Sequence, residues 1–297
     1  MIERQIPNSQ LFIMKEEVVN VDELKTKYFI ADNTGKRISK NYGYIYISNE
    51  KHIICMQNFG NLSNEKIDVY DLNGNIKFEN YKKWSHVGLS PGTISDIINE
   101  YGPQIKHKYR IITSRKICYS GIDSNNSINL IDDNLNILYK DVKSDYSPPP
   151  MDIYGNLFVN INKKNTLINI VSGKINHTLN VIDYFGYDKY ENIGYYIIEN
   201  NDKTFSIINA FNKKIELEHI KKFIICREIV EYSSVEMISY ITNKQIHSYL
   251  LFNDVDDIPR KRKIDINNPD KTNIKKLGIN IDKLKELLDN HIKYLSI

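Results

Sequence analysis

The stretch IDVYDLNGNIKF, residues 67–78, decides how the chain is read. Two apolar segments flank a turn made of Asp71, Leu72, Asn73, Gly74 and Asn75. Gly, Asn and Asp tolerate the positive φ that a tight hairpin demands, and β-branched residues do not. The same design recurs in YFIADNTGKRIS (28–39), INLIDDNLNILY (128–139), LINIVSGKINHT (167–178) and SIINAFNKKIEL (206–217). Aligned on one turn position, these place Gly35, Gly74, Leu135, Gly173 and Asn212 at spacings of 39, 61, 38 and 39 residues. A weaker sixth member, SYLLFNDVDDIP, follows near Asp254.

A second layer of similarity lies upstream of three hairpins. GYIYISNEKHIICM from Gly43, GNLFVNINKKNTLINI from Gly155 and GYYIIENNDKTFSIIN from Gly194 each read as Gly, strand, polar turn, strand. A repeat of roughly 40 residues with three or four short strands predicts an all-β, propeller-like array of about six blades. Two stacked sheets or a β-solenoid would share this periodicity. The segment Asp152–Leu179 resembles a blade of the quinoprotein-like (PQQ-type) or WD40-like β-propellers, through its Asp-x-x-Gly-strand start, second strand and Ser-Gly-Lys turn. The resemblance implies a fold and no chemistry. Trp84 is the single Trp, so the repeated docking Trp of quinoprotein enzymes and the Trp-Asp ends of WD40 blades are missing. The expected organisation is one propeller-like domain over 1–266, followed by a linker and helix over 267–297.

Composition agrees with sheet. Ala, the best helix former, occurs only at Ala31 and Ala210, while Tyr occurs 21 times and Ile is abundant. Part of this bias is what an AT-rich genome produces. A net charge of +3 over 297 residues gives no reason to expect nucleic acid or an anionic membrane. Cys55, Cys118 and Cys226 each sit in an apolar run, as buried free thiols do in a reducing compartment. The N-terminus lacks the apolar core of a signal peptide, and no run approaches the ~18 apolar residues of a membrane span. The reading is a soluble cytoplasmic protein.

The 61-residue spacing exceeds 39 by 22, and the surplus falls on KKWSHVGLSPGTISDIINEYGPQ. This predicts an insertion over about 82–104 with a short helix, Ser90 at its cap, Pro91 in its first turn and Gly102-Pro103 at its stop. Gly88 to Gly92 fits G-x-S-x-G, but Pro91 has no N–H to offer an oxyanion hole. A DNA-reading helix-turn-helix fails as well, because Trp84 occupies the close helix crossing and Asp96 and Glu100 repel phosphate.

The remaining candidates read as structure. His52-x-x-Cys55 has metal-ligand spacing, but on a strand these residues face opposite ways, so no metal site is expected. Asp254–Asp257 lacks the ligand order of a calcium loop. No phosphate loop appears, and no cofactor is implied. Arg260–Lys263 reads as a solvated linker, and Ser147–Pro150 as a stiff connector. In IDKLKELLDNHIKYL the residues Ile281, Leu284, Leu287, Leu288, Ile292 and Leu295 predict an amphipathic helix docked on the scaffold or offered to a partner.

These readings converge on a non-enzymatic module that binds another protein through its loop face or its helix. The candidate contact residues are Trp84, His86 and Asp96 in the insertion, with Tyr187 and Tyr190 in the Tyr-rich DYFGYDKYENIGYY. The alternative is an enzyme acting on a small molecule or glycan in a central channel, which needs acids, His or metal ligands to converge there.

Overall fold

The computed structural model describes residues 1–20, 23–48, 50–58, 65–88, 115–144, 146–187, 193–210, 212–226, 236–242, 245–252, 260–263 and 281–296. Among them, six antiparallel sheets follow one another along the chain. Sheet one holds β1 (Ile2–Gln5), β2 (Phe12–Asn20) and β3 (Glu23–Ala31), and sheet two β4 (Tyr44–Ser48), β5 (His52–Met56), β6 (Ile67–Asp71) and β7 (Ile76–Tyr81). Sheet three holds β8 (Lys83–His86), β9 (Tyr119–Ile122), β10 (Ile128–Ile131) and β11 (Ile137–Val142). Sheet four is β12 (Asn156–Ile161), β13 (Lys164–Asn169) and β14 (Lys174–Asn176). Sheet five is β15 (Val181–Tyr187), β16 (Ile193–Glu199), β17 (Phe205–Asn209) and β18 (Ile215–Ile220). Sheet six is β19 (Lys222–Cys226), β20 (Glu236–Thr242), β21 (Gln245–Phe252) and β22 (Arg260–Lys263), and helix α1 spans Ile281–Ser296.

The chain divides into two compact units. Met1–Val87 with Ile117–Pro148 carries sheets one to three, and Gly88–Lys116 with Pro149–Ile297 carries sheets four to six and α1. Within each unit the middle sheet is buried on both faces. In β5, Ile53 and Cys55 join the cluster with Ile13, Ile30 and Tyr42 of the sheet-one segment, while Ile54 joins Trp84, Tyr119 and Ile131 of sheet three. In β16, Tyr195 and Ile197 pack with Ile238 and Tyr240 of sheet six, and Tyr196 packs with Leu167 of sheet four. Near-continuous apolar strands such as HIICM need two partners because the side chains alternate faces.

The turns explain the repeat. Asp71 Oδ1 accepts the N–H groups of Asn73 and Asn75, both at 2.9 Å, and the Asp71 carbonyl accepts from Gly74 N–H at 3.1 Å. Gly74 has φ +83°, as a three-residue hairpin ending in the left-handed region requires. Asp32, Asp123, Asp132 and Asp152 close the same turn through the N–H groups two and four residues on. Asn169 and Asn209 open a longer turn, closed by Gly173 N–H to the Asn169 carbonyl and Lys213 N–H to the Asn209 carbonyl. The partner of Gly173 in the left-handed region is therefore Lys213 (φ 60°), one residue beyond the Asn212 expected from the alignment.

A second device joins successive sheets of the first unit. Tyr42, paired to Tyr28 beside β3, donates its hydroxyl to Asp68 Oδ2 of β6 at 2.7 Å. Asp68 is fully buried; its Oδ1 accepts the N–H of Asn80 at a bulge of β7, and Lys40 Nζ lies 2.8 Å from Oδ2. One sheet further on, the Tyr81 hydroxyl accepts from Asn129 Nδ2 of β10 at 2.9 Å, and Asn129 Oδ1 accepts the N–H of Asp141 at 3.4 Å. Burial, with the Tyr70 and Asp68 hydrogen bonds, pushes the Tyr42 phenol far above its usual range.

Several sequence expectations change. Lys83–His86 is the first strand of sheet three rather than inserted sequence, so the extra residues fall between β8 and β9. The expected helix from Ser90 lies outside the described residues. Arg260–Lys263 is not linker: it pairs with Tyr249–Phe252 as the edge strand of sheet six. Consecutive cations suit an edge, where they discourage pairing with other chains. Cys55 and Cys118 are buried free thiols, but Cys226 is only partly buried. Helix α1 docks on sheet six with Leu284, Leu288 and Leu295 buried. Among the described residues no helix is long and apolar enough to cross a membrane.

Gly121 on β9 reports on the packing of sheets two and three. A Cβ there would lie 2.6 Å from the Tyr81 ring and 3.1 Å from Trp84. Gly121→Ala is expected to destabilise the first unit by about 1–3 kcal/mol, read by thermal or urea unfolding. Tyr42→Phe is expected to cost a similar ~1–3 kcal/mol, because the buried Asp68 carboxylate loses a donor.

Candidate functional site

Strand register gathers the Asp32, Asp71 and Asp132 turns of the first unit at one end of its sheets, while the Asp123 turn lies at the opposite end of sheet three. In sheet one Gln5 stands opposite Phe12 and Phe12 opposite Ala31, so the loop 6–11 and the turn 32–36 share that end. In sheet two the run Ser48, His52, Asp71 does the same for the β4–β5 connection and the turn 71–75. In sheet three His86 stands opposite Tyr119 and Tyr119 opposite Ile131, beside the turn 132–136. The connection 87–118 leaves from and returns to this end.

Side chains knit these turns into one face. Asn33 Nδ2 donates to Gln10 Oε1 at 3.4 Å. Ser48 Oγ and His86 Nε2 are 3.0 Å apart, joining the ends of β4 and β8. The Lys51 ammonium pairs with the Asp133 carboxylate. His52 Nε2 lies 2.9 Å from the Asp133 carbonyl, which can only accept, so Nε2 carries the proton. In the neutral ring His52 Nδ1 is then the unprotonated nitrogen, buried with no close hydrogen-bond donor among the described residues. The Tyr119 ring lies between the two imidazoles, at 5.0 Å from His86 and 5.6 Å from His52.

Beside this cluster the face opens into a depression of about 850 Å³ between the turns of sheets one and two. The amides of Gln5, Asn8, Gln10, Asn33 and Asn73 line it, with Ser9 and the Asp32 carboxylate, over Leu11, Ile38 and Leu72. Asp32 is held below the usual carboxylate value by the Thr34 hydroxyl, against desolvation, with further bonds from the Lys36 and Thr34 N–H groups. The lining offers many neutral donors and acceptors above an apolar floor and a single charge. Such a surface suits a polar, uncharged chain, and the backbone of an extended peptide has that chemistry. Among the described residues no group of three His, Cys, Asp or Glu side chains is placed to hold a metal ion.

The expected contact residues do not all meet here. His86 is exposed on this face. Trp84, two residues earlier on the same face of β8 but further from the strand end, is 7% exposed, with its ring 5.4 Å from Phe78 and 5.3 Å from Tyr119. It is a core residue because Phe78, Tyr81 and Tyr119 cover its ring, whereas His86 stands at the end of the strand. Asp96 and Tyr190 lie outside the described residues. Tyr187 ends β15 in the second unit, opposite Ile193. Sequence reading passed over Ser48, His52, Tyr119, Asp133 and the amides of the depression. The middle positions of the Asp-x-Asn-Gly turns were the available signal.

Six consecutive antiparallel sheets of three or four strands, with Asp- or Asn-opened turns recurring among the described residues, are a propeller-like, blade-type repeat. No family model and no curated protein matches the chain. Among solved structures, the crystal structure of Saccharomyces cerevisiae Sqt1 is similar over 86% of this chain and 70% of that one, at 8% identity and a TM-score of 0.25. The WD40 β-propeller domain of Doa1 is similar over 80% of this chain and 74% of that one, at 8% identity and a TM-score of 0.21. Similarity this low carries no argument about function.

His52 gives this face a pH dependence. Burial holds its imidazole below the ordinary value of 6.5, against the Asp133 carbonyl and carboxylate that favour the charged form. The unfolded chain protonates at the ordinary value and the folded unit resists, so stability is complete above pH 6.5 and falls as pH drops below it. His52→Gln is expected to flatten that part of the acid limb in unfolding curves recorded between pH 7.5 and 5.

Proposed function

We propose that the chain is a non-enzymatic protein-binding module that engages its partner through the loop face of the first unit. The proposal includes residues 1–266 acting as one scaffold, with 267–297 appended. The observation that carries it is the amide-lined depression of about 850 Å³, whose neutral polar rim and apolar floor fit an extended segment of another protein. His86, with Lys51 and Asp133 beside it, extends this surface along the same face. The helix is the weaker of the two expected surfaces, since Leu284, Leu288 and Leu295 are already covered by sheet six.

The test is a native pull-down from the source cell, comparing the wild-type chain with a Gln10→Arg/Asn73→Arg variant. Both side chains are exposed at the depression, so the variant is expected to keep its unfolding temperature. The expected result is one stoichiometric partner that the variant captures at least tenfold less well. A Lys174→Glu control on β14 is expected to capture it normally. Equal capture by the double variant would overturn the reading, as would the lack of any stoichiometric partner.

A further inference from the structure

His291 stands in the apolar stripe of α1, between Leu288 and Leu295, and is 3% exposed. Its Nδ1 lies 2.9 Å from Ser239 Oγ of β20, and Ser239 Oγ lies 2.8 Å from Ser248 Oγ of β21. Both serines are buried. This chain of three small polar groups fastens the helix to sheet six beside the buried Leu284, Leu288 and Leu295. We propose that α1 is a pH-sensitive clasp on sheet six, closed while His291 is neutral and released when its imidazole takes a proton.

Register shows what would surround that charge. Ser239 stands opposite Ile224 of β19 and Ser248 of β21, so the helix-side positions are 222, 224 and 226, then 237, 239 and 241, then 246, 248 and 250. Lys222 Nζ confirms the side, lying 6.0 Å from the Tyr294 ring of α1. The titratable or charged residues at these positions are Lys222 and Cys226, and the register of β22 adds Arg262 opposite Leu250 and Arg260 opposite Phe252. None is a carboxylate. Glu236, Tyr240, His247 and Tyr249 occupy the alternate positions of β20 and β21, and Glu236 is engaged by the Gly186 N–H. On α1 itself Asp282, Lys285, Glu286, Asp289 and Lys293 are exposed.

An imidazolium at His291 would therefore meet one neutral hydroxyl, that of Ser239, itself bonded to Ser248, with no acid at the described helix-side positions and with Lys222 on the same side. Burial holds the His291 value below 6.5. The neutral form belongs to the docked state and the protonated form to the free one, so docking is complete above pH 6.5 and weakens as pH falls below it. The clasp involves no residue of the loop face of the first unit.

Hydrogen exchange of the full chain at pH 7.5, 6.0 and 5.0, corrected for the intrinsic rate, tests this. The expected result is at least a tenfold loss of protection in 281–296 by pH 5, while β20 and β21 keep theirs. His291→Gln, which keeps a hydrogen-bonding side chain and does not titrate, is expected to hold α1 protected at all three values. If that variant undocks α1 throughout, His291→Leu provides the non-titrating comparison. Unchanged protection of wild-type α1 down to pH 5 would overturn the clasp. So would an equal loss in a docked non-titrating variant, or loss of α1 and the strands together.

Discussion

A carboxylate oxygen that accepts the backbone N–H groups two and four residues downstream closes turns at Asp32, Asp71, Asp123, Asp132 and Asp152. The rest of the structure depends on these turns because each sets the register of its hairpin. The side-chain period of a strand is two, so a one-residue slip would exchange the faces of every residue beyond it. In the Asp71 hairpin that slip would send Phe78 and Tyr81 of β7 out of the core they share with Ile67 and Val69. A residue in the left-handed region must follow, and Gly35, Gly74 and Gly155 supply it at low cost. Leu135 adopts φ 65° at the same place and keeps its side chain in the core.

Fixed register also creates the polar interior. Asp68 and Asn129 stand at corresponding points of β6 and β10, each opposite a bulge whose free N–H it accepts, and each is met by a tyrosine hydroxyl from the preceding segment. Buried polar groups need partners with the right geometry, so each Tyr contact ties one sheet to the next. The same register brings the Asp32, Asp71 and Asp132 turns to one end of the sheets of the first unit. The candidate binding face is thus a by-product of the repeat, and its particular chemistry resides in the variable middle residues of the turns.

Much of this was legible in the sequence. The hairpin turns stand out because Asp, Asn and Gly occupy fixed positions, and Gly155 and Gly194, 39 residues apart, do perform matching tasks. Their carbonyls accept from Ile170 and Ala210, both at 2.8 Å. Helix α1 was legible from its apolar stripe. What escaped notice was set by tertiary context. KWSH carries too few apolar residues to announce β8, and RKRK has none, so β22 exists because β21 offers it a ladder. Trp84 was expected at a surface, but its neighbours on β7 and β9 decide that it is core. His291 was not singled out in the sequence, and the Ser239–Ser248 pair accounts for a polar partner at its buried position.

The turn carboxylates of Asp32 and Asp71 act as ionised acceptors. Carboxyl-carbon titration by NMR addresses this claim directly, at Asp32 and Asp71 in the folded protein. At Asp71 partial burial pulls upward, but bonds from the Asn75 amide and N–H, Lys77 and Asn73 prevail and hold the group low. The claim predicts that both carboxylates titrate below 3.8, and that the amides of Thr34, Lys36, Asn73 and Asn75 shift with the same midpoints. Titration at or above 3.8, with those four amides unaffected, would contradict it.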